Sequence, residues 1–248
     1  VITPHFHPSW SMWGGSKRRI LRDFYDSRVG KPTLEAADLI TCVSRHEREM
    51  LVKEIGLNED NIKIIYNGIY WDDWKNIPDP NIFRKHFPKV SDKFIIFAGR
   101  LATNKGIPDL IEAVSLESSN RFDLVVMGAD MGLGDDLDKL AQSKNVKMHR
   151  IGHVDDEIYR SALSAAEVLV LPSEYEAFGI VLLEAAAAQT AVVAARVGGT
   201  PEAMCEGKNG LLVDYSDPIS LSKAIFTILD DDKLSKDLGS FGREFAKG

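Results

Sequence analysis

The chain has 248 residues, enough for one large domain or two smaller ones with a substantial apolar core. Its 30 Lys and Arg residues stand against 37 Asp and Glu residues, a formal net charge of −7 with histidine neutral. This mildly acidic balance argues against a protein that coats nucleic acid or an anionic membrane through bulk charge, and no apolar run is as long as a transmembrane span.

The first third of the chain has the pattern of the end of an α/β domain. "VITPH" predicts a strand ending at His5, and "DLITCVS" predicts a buried strand. The helix that follows has Ser44 at its N-cap and Glu47 three residues later, the spacing of a capping box. "IKIIYN" predicts another short strand. We therefore assign residues 1–70 to the tail of a preceding, truncated α/β domain and the Pro-, Asp- and Asn-rich residues 71–92 to a linker.

From residue 93 onward, short β-branched runs alternate with helical patterns. Six strands are predicted, at residues 94–99, 122–127, 146–151, 167–171, 191–195 and 210–213. Helical spacing of apolar residues separates them, and two more helices follow at residues 218–229 and from residue 234 to the end. Continuous apolar strands joined by crossover-length helices indicate a parallel sheet covered on both faces. We therefore predict an α/β fold, with a doubly wound, Rossmann-like parallel sheet over residues 93–248.

The loops after the strands supply the candidate site, because open parallel sheets bind ligands at the carboxyl ends of their strands. After the first of the six strands, "GRLATNKG" offers Arg100 and Lys105 between glycines, a pair suited to a diphosphate. Two solvated loop cations are the alternative. The helix that starts at Phe178-Gly179-Ile180 presents free N–H groups and the positive end of its dipole, which form a second anion site.

Two glutamates need a chemical explanation. "GIVLLEAAAA" is almost wholly apolar, yet it carries Glu184. A desolvated carboxylate must be paired or hydrogen bonded, and carboxylates bind ribose hydroxyls in dinucleotide folds. Glu176 precedes the helix start, where it would face the sugar-like end of a ligand whose phosphates lie on that start. The alternatives are a salt bridge from Glu184 to a core arginine such as Arg196, and a solvent-facing position for Glu176.

Several familiar sites are absent from the sequence. It contains no GxxxxGK[ST] P-loop, no clean GxGxxG fingerprint after a strand, and no GxSxG nucleophile elbow. His5 and His7 supply only two metal ligands, and two loop histidines are the better interpretation. Cys42 and Cys205 form no CxxC or metal-ligand pattern, which favours buried thiols in a reducing compartment. A P-loop NTPase and a nicotinamide enzyme are therefore disfavoured.

The segments "GRLATNKG", "EYEAFGIVLLEAAAAQTAVVAARVGGTPE" and "GKNGLLV" together resemble the C-terminal half of retaining glycosyltransferases of family 4, also called group 1, which have the two-domain GT-B fold. The most specific mark is the Glu-x7-Glu spacing of Glu176 and Glu184, with Phe-Gly between them. The resemblance covers about residues 35–248 and includes "AADLITCVS" and "IIYNGI", which look like the closing segment of the family's N-terminal domain.

The resemblance implies a role for each matching residue. Arg100 and Lys105 would bind the donor diphosphate, Glu184 the ribose, and Glu176 the hydroxyls of the transferred sugar. The implied donor-binding set is Arg100, Lys105, Gly128, His153, Val154, Glu176, Phe178, Gly179, Ile180 and Glu184, with the backbone around His153-Val154 lining the base. The implied catalytic set is Glu176, His5, Arg100 and Lys105, with His7 as a competing assignment for the active-site histidine.

The implied activity is transfer of a sugar from a nucleoside-diphosphate sugar to a glycan, lipid or small-molecule acceptor, with retention and without a metal or a cofactor beyond the donor substrate. A nucleotide-sugar 2-epimerase of the same fold and a non-catalytic nucleotide-binding module are the alternatives. The chain departs from the family in lacking nearly all of the acceptor-binding domain and in placing Thr190 where a glycine is usual. We therefore expect it to bind the donor and to transfer little sugar.

The expected partners are the nucleotide sugar and a glycan or lipid-linked acceptor, with no nucleic acid, in the cytoplasm. Peripheral membrane contact and self-association through the truncated domain stay open. Four tryptophans, Trp10, Trp13, Trp71 and Trp74, form either a patch on the acceptor side or packing between linker and domain. "SKRR" at residues 16–19 favours a solvated helix start over a contact with acidic head groups.

Overall fold

The computed structural model describes residues 1–6, 15–117 and 121–248, and of residues 15–19 it describes only the backbone. The predictions for His7, Trp10 and Trp13 lie outside the described residues, as do those for the side chains of residues 16–19. The strands are β1 (Ile40–Cys42), β2 (Ile62–Ile64), β3 (Phe94–Ala98), β4 (Asp123–Met127), β5 (Met148–Ile151), β6 (Val168–Leu171), β7 (Ala191–Ala195) and β8 (Gly210–Val213). The helices are α1 (Gly15–Tyr25), α2 (Lys31–Glu35), α3 (Arg45–Met50), α4 (Pro80–His86), α5 (Ile107–Ser115), α6 (Gly134–Ser143), α7 (Asp156–Ala165), α8 (Ile180–Ala187), α9 (Pro218–Leu229) and α10 (Asp232–Lys247).

The N-terminal residues build a small parallel sheet in which β1 pairs with β2. Ile2 adds a single bridge on the other side of β1, where its N–H donates to the Leu39 carbonyl over 3.0 Å. The prediction of a whole strand at "VITPH" is therefore wrong, and only one residue of it is bridged. Pro4 has no amide hydrogen to continue the ladder, and His5 adopts a left-handed conformation with φ 46°.

Ser44 begins α3 as its sequence predicts, because its hydroxyl accepts the N–H of Glu47 over 3.0 Å. The reciprocal half of the capping box differs from the prediction. The Glu47 carboxylate accepts the N–H of Val43 over 2.7 Å and the N–H of Phe6 over 2.6 Å. This glutamate therefore connects the helix to the N-terminal segment of the chain.

The main sheet has six parallel strands in the order β5-β4-β3-β6-β7-β8. All six predicted strands are present, and their ends differ from the prediction by two residues at most. Strands β3, β4, β6 and β7 are buried along their whole length, which is why they read as continuous apolar runs. The chain runs outward from β3 to β5, then crosses back to β6 and runs outward to β8. This places the topological switch point between β3 and β6.

Residues 71–92 pack more tightly than a linker is expected to. They contain a 3₁₀ turn at Trp71–Trp74 and the helix α4, which packs on α7. The buried hydroxyl of Ser161 in α7 accepts the N–H of Phe83 over 2.8 Å, and Phe83 is fully buried. The sequence interpretation missed α4 because a proline in the first turn of a helix was counted as a linker signal.

Helix α10 connects residues 71–92 to the main sheet. The guanidinium of Arg243 donates to the carbonyls of Trp74 and Lys75 over 2.8 Å each, and also to the carbonyl of Ala187 in α8. It lies 5.0 Å from the centre of a Trp71 ring, and Trp74 is buried in the main core. Trp71 and Trp74 therefore pack between linker and domain. Within the described residues, no helix has the length and apolar character needed to cross a bilayer.

Candidate functional site

The loops after β3 and β6 meet at the switch point. Gly106 adopts φ +65°, and a Cβ atom at this position would lie 2.0 Å from the Pro172 carbonyl oxygen. The N–H of Glu174 donates to the Asn104 carbonyl over 2.9 Å. A glycine is required here because the backbones of the two loops touch. The loop that carries Arg100 and Lys105 and the loop that carries Glu176 therefore form one site.

Lys105 and Glu176 form a direct ion pair. The Lys105 ammonium lies 2.6 Å from a carboxylate oxygen of Glu176, and that oxygen also accepts from the Ser173 hydroxyl over 2.8 Å. The two side chains are only 14% and 15% exposed, so a solvated cation and a solvent-facing acid are both wrong interpretations. Arg100 is exposed, and its guanidinium forms no ion pair with any residue that the structure describes.

Glu184 is hydrogen bonded to a residue that the sequence interpretation missed. The Tyr159 hydroxyl of α7 donates to Oε2 of Glu184 over 2.5 Å. Burial raises the pKa of the Glu184 carboxyl, Asp156 raises it further, and the Tyr159 hydroxyl opposes the shift. The predicted alternative, a salt bridge from Glu184 to Arg196, is wrong because Arg196 pairs with Glu206 over 2.5 Å.

Burial and the neighbouring Glu184 also raise the pKa of the Tyr159 phenol, so this group stays a hydrogen-bond donor. Nothing in the local pattern of α7 separates Tyr159 from an ordinary core aromatic residue. Its partner is fixed only by the packing of α7 on α8, which brings together residues 25 positions apart in the sequence.

A cavity of about 430 Å³ opens at the carboxyl ends of β3, β4 and β5. Five of the predicted donor-binding residues line it, namely Arg100, Gly128, His153, Val154 and Glu184. A Cβ atom at Gly128 would lie 2.0 Å from the Gly99 carbonyl oxygen, so the ends of β3 and β4 approach each other too closely for a side chain. The volume falls in the range of about 300–1,000 Å³ that is usual for small-molecule sites.

A larger groove of about 1350 Å³ runs along the outer edge of β5. It shares Gly152, His153 and Val154 with the cavity, but Arg100 and Glu184 do not line it. The smaller cavity therefore contains the predicted chemistry.

The segment Phe178-Gly179-Ile180 lies at the start of α8, as predicted. Phe178 is buried, with its ring centre 5.9 Å from that of Tyr66, and Gly179 is the N-cap with φ +93°. Gly198, which the sequence interpretation did not single out, supports the adjoining loop. It adopts φ +51°, and a Cβ atom there would lie 1.9 Å from the Glu176 carbonyl oxygen.

The N-terminal residues reach the same loop. The Phe6 carbonyl accepts from the buried Tyr175 hydroxyl over 3.1 Å, so His5 lies one residue from a contact with the neighbour of Glu176. The side chain of His5 itself is exposed. In the ranges that the structure describes, no three His, Cys, Asp or Glu side chains group together as metal ligands do.

A second contact joins the two sheets beside the site. The Glu202 carboxylate, which follows β7, accepts the N–H groups of Arg45 over 2.9 Å and of His46 over 3.2 Å. These are the first two N–H groups of α3, so Glu202 caps a helix that packs on the other sheet.

Comparison with models of known protein families identifies the family to which the chain belongs. The model of "Glycosyl transferases group 1" matches residues 78–245, and the model of "Glycosyltransferase Family 4" matches residues 1–71. The chain belongs to the group 1 glycosyltransferases.

Curated relatives of this group 1 glycosyltransferase match it over most of its length. An uncharacterized glycosyltransferase of Methanocaldococcus jannaschii, MJ1607, is 36% identical over 80% of this chain and 52% of the relative. The alpha-maltose-1-phosphate synthase of Mycolicibacterium smegmatis is 29% identical over 88% of this chain and 60% of the relative. The chain therefore spans between half and two thirds of the length of these relatives.

Solved structures of GT-B glycosyltransferases share its fold. A sucrose-phosphate synthase from Thermosynechococcus elongatus matches with a TM-score of 0.83 and 27% identity, over 99% of this chain and 62% of the other. Anabaena Alr3699/HepE in complex with UDP and glucose matches with a TM-score of 0.77 and 22% identity, over 88% of this chain and 62% of the other. The predicted family and fold class are confirmed.

Proposed function

We propose that this group 1 glycosyltransferase binds a nucleoside-diphosphate sugar in the 430 Å³ cavity and transfers its sugar to an acceptor with retention and without a divalent metal. One observation carries the proposal. Arg100, Gly128 and His153, which follow three different strands, and Glu184 of α8 line a single cavity. The Lys105–Glu176 pair lies at the neighbouring switch point.

The cavity suits a nucleoside at one end. The Tyr159 hydroxyl occupies Oε2 of Glu184, so Oε1 is available to accept a ribose hydroxyl. The backbone at His153-Val154 lies on the same wall, where it would line the base. Glu184 is thus oriented by Tyr159 before the ligand arrives, which reduces the entropy lost on binding.

The diphosphate would lie between Arg100, Lys105 and the start of α8. Arg100 offers a fork of donors that no described residue neutralises, and Lys105 adds a point charge. The N–H groups around Phe178, Gly179 and Ile180 lie at the positive end of the helix dipole. These groups would stabilise the negative charge that develops on the leaving diphosphate, a task that a divalent metal performs in other transferases.

The sugar would extend from the phosphates towards Glu176. Lys105 and Ser173 hold one oxygen of this carboxylate, which leaves the other to accept sugar hydroxyls. We assign no nucleophile to the protein. As the family resemblance implies, the acceptor would attack the anomeric carbon from the same face that the diphosphate leaves, so the configuration at that carbon is retained. His5 would lie at the edge of the site.

Two similar structures support a nucleotide donor. Alr3699/HepE is described in complex with UDP-glucose, and Staphylococcus aureus TarM in complex with UDP. UDP and UDP-glucose are therefore the first probes to use for this chain.

The proposal is tested by a thermal-shift screen of UDP, GDP, ADP and their glucose and mannose derivatives, each with and without EDTA. We expect nucleotides with one base to raise the melting temperature, equally in EDTA, and an Arg100→Ala variant to lose most of the shift. Lys139→Ala is the matched control, because Lys139 is exposed on α6. No shift with any nucleotide, or a shift only with added Mg²⁺, would contradict the proposal.

Product analysis separates the remaining alternatives. A 2-epimerase would convert the nucleotide sugar into its epimer when no acceptor is present. A binding module would leave the nucleotide sugar intact when a range of glycan and lipid-linked acceptors is added. A transferase gives a glycosylated acceptor and one nucleoside diphosphate for each sugar moved.

A further inference from the structure

The peptide backbone of Phe6 is held from both sides by buried side chains. Its N–H donates to a carboxylate oxygen of Glu47 over 2.6 Å, and its carbonyl accepts from the Tyr175 hydroxyl over 3.1 Å. Glu47 is 0% exposed and Tyr175 is 2% exposed. Because a buried carboxylate is costly unless it accepts hydrogen bonds, the Glu47–Phe6 bond is strongly favoured.

Glu47 is itself hydrogen bonded to a residue of the main core. Its second carboxylate oxygen accepts the N–H of Val43 over 2.7 Å, and Val43 is buried in the same core as the six-stranded sheet. Its own N–H donates to Ser44, and Glu202 caps the helix that carries it. The side chains that hold the Phe6 peptide are therefore connected to both sheets.

His5 directly precedes the clamped residue, and Glu176 directly follows Tyr175. The φ angle of His5 is 46°, in the left-handed region that a residue other than glycine seldom adopts without support. The hydrogen bond between Tyr175 and Phe6 thus joins the immediate neighbours of His5 and Glu176 across 169 residues of sequence.

We propose that Glu47 and Tyr175 are positioning residues, which clamp the Phe6 peptide so that the His5 imidazole is held beside Glu176. Neither side chain touches the sugar in this arrangement, and both act through the Phe6 backbone. The inference rests on the proposed function, in which His5 and Glu176 face the sugar. The competing explanation is a buried network that stabilises the fold and has no influence on His5.

Two substitutions in the 248-residue chain separate these explanations. Tyr175→Phe removes only the hydroxyl and keeps the ring in the core. Glu47→Gln keeps the shape but replaces one carboxylate oxygen with an amide that cannot accept from a backbone N–H. Tyr70→Phe and Glu49→Gln are the matched controls, because Tyr70 is 86% exposed and the Glu49 side chain is 60% exposed.

The first readout is the NMR spectrum of the His5 imidazole, assigned by comparison with a His5→Ala variant. We expect its signals to shift or broaden in Tyr175→Phe and Glu47→Gln and to stay unchanged in both controls. The second readout is the rate at which saturating UDP-glucose is hydrolysed to UDP and glucose, with water as the acceptor. We expect it to fall about tenfold or more in Tyr175→Phe, with unchanged calorimetric affinity for UDP, since small displacements of a reacting group carry large rate penalties. In a His5→Ala background, Tyr175→Phe should lower the rate no further.

Unchanged His5 signals in folded Tyr175→Phe would overturn the proposal, whatever the rate of UDP release. If Glu47→Gln does not fold, Tyr175→Phe decides alone. A rate loss in Tyr175→Phe that persists in the His5→Ala background would also overturn it. A wild-type chain that binds none of the nucleotides and nucleotide sugars in the thermal-shift screen would instead overturn the proposed function, and the positioning role would fall with it.

Discussion

The Lys105 ammonium lies 2.6 Å from the Glu176 carboxylate, although 71 residues separate them in the sequence. The pair bridges the loops that follow β3 and β6, the two strands on either side of the switch point. In the absence of ligand each group satisfies the charge of the other, at positions where a lone buried charge would be costly. A bound donor would place its diphosphate against Lys105 and its sugar hydroxyls against Glu176. These contacts would replace part of the attraction between Lys105 and Glu176.

This pairing predicts an asymmetric effect of Glu176→Gln. Affinity for UDP should stay the same or increase, because Lys105 loses a competing carboxylate, whereas affinity for UDP-glucose should fall because the sugar loses its acceptor. Isothermal titration calorimetry with both ligands measures the two changes. Glu174→Gln, two residues away in the same loop, is the control. Equal losses for UDP and UDP-glucose would rule out a sugar-specific role.

Removing the cations should weaken diphosphate binding directly. Arg100→Ala should reduce affinity for UDP by about 1.5–3 kcal/mol, the scale of a hydrogen bond to a charged group. Lys105→Ala should cost less than Arg100→Ala, since Lys105 is already neutralised by Glu176 and Arg100 is not. Calorimetry with the Lys139→Ala control measures both. Unchanged affinity in both variants would show that the phosphates bind elsewhere.

Glu184→Gln should stabilise the fold and weaken nucleotide binding. Burial raises the pKa of Glu184, so the folded state disfavours its charged form. That cost is fully present above the raised pKa and disappears as the pH falls towards the ordinary glutamate value. The variant should therefore melt at a higher temperature than the wild type at neutral pH, and the difference should shrink in acid. Melting curves over this range, with UDP titrations at neutral pH, give both quantities.

The pH dependence of binding should follow the same group. As the pH falls through the raised pKa, Glu184 gains a proton and loses an acceptor site, so affinity for UDP should decline, but not in Glu184→Gln. If Glu184→Gln is less stable than the wild type at neutral pH, or keeps its full affinity for UDP, the Glu184 carboxylate has a structural role. Glu157→Gln, exposed on α7, is the control.

Gly198→Ala should disrupt the sugar end of the site. Its Cβ atom would meet the Glu176 carbonyl oxygen at 1.9 Å, so the loop that carries the carboxylate must move. Gly207 also has a left-handed φ, of +75°, but a Cβ atom there meets nothing within 4 Å. Gly207→Ala therefore carries the backbone strain without the collision. We expect affinity for UDP-glucose to fall much more in Gly198→Ala, and equal losses in the two variants would attribute the effect to φ alone.

Glu202→Ala should loosen α3 from the main sheet. It removes the acceptor of the first two N–H groups of the helix, a change worth about 0.5–2 kcal/mol at helix N-termini. Hydrogen exchange should show faster exchange of the Arg45 and His46 amides, with the strands β3 to β7 unaffected. Glu49→Ala in the same helix is the control. Unchanged protection of both amides would show that Glu202 is not their partner in solution.

The predicted fold followed from signals that are local in the sequence. Strands that are buried on both faces must be continuous apolar runs, and helices must repeat their apolar residues at helical spacing, so the six strands could be recognised one at a time. The Glu-x7-Glu spacing placed Glu176 and Glu184 on either side of a helix start. Helix α4 was missed because Asp79-Pro80 is compatible with both a linker and a helix N-terminus, and only the packing of Phe83 against α7 distinguishes the two.

The partners of the site residues were decided by the tertiary structure alone. Two pairs of residues, Lys105 with Glu176 and Tyr159 with Glu184, are far apart in the sequence. Each pairing depends on strand order and on which helices pack together. Sequence periodicity reports which side chains are buried, since burial repeats with the local geometry of the backbone. It carries no information on which distant group satisfies a buried charge, because that depends on how the crossovers return the chain to the sheet.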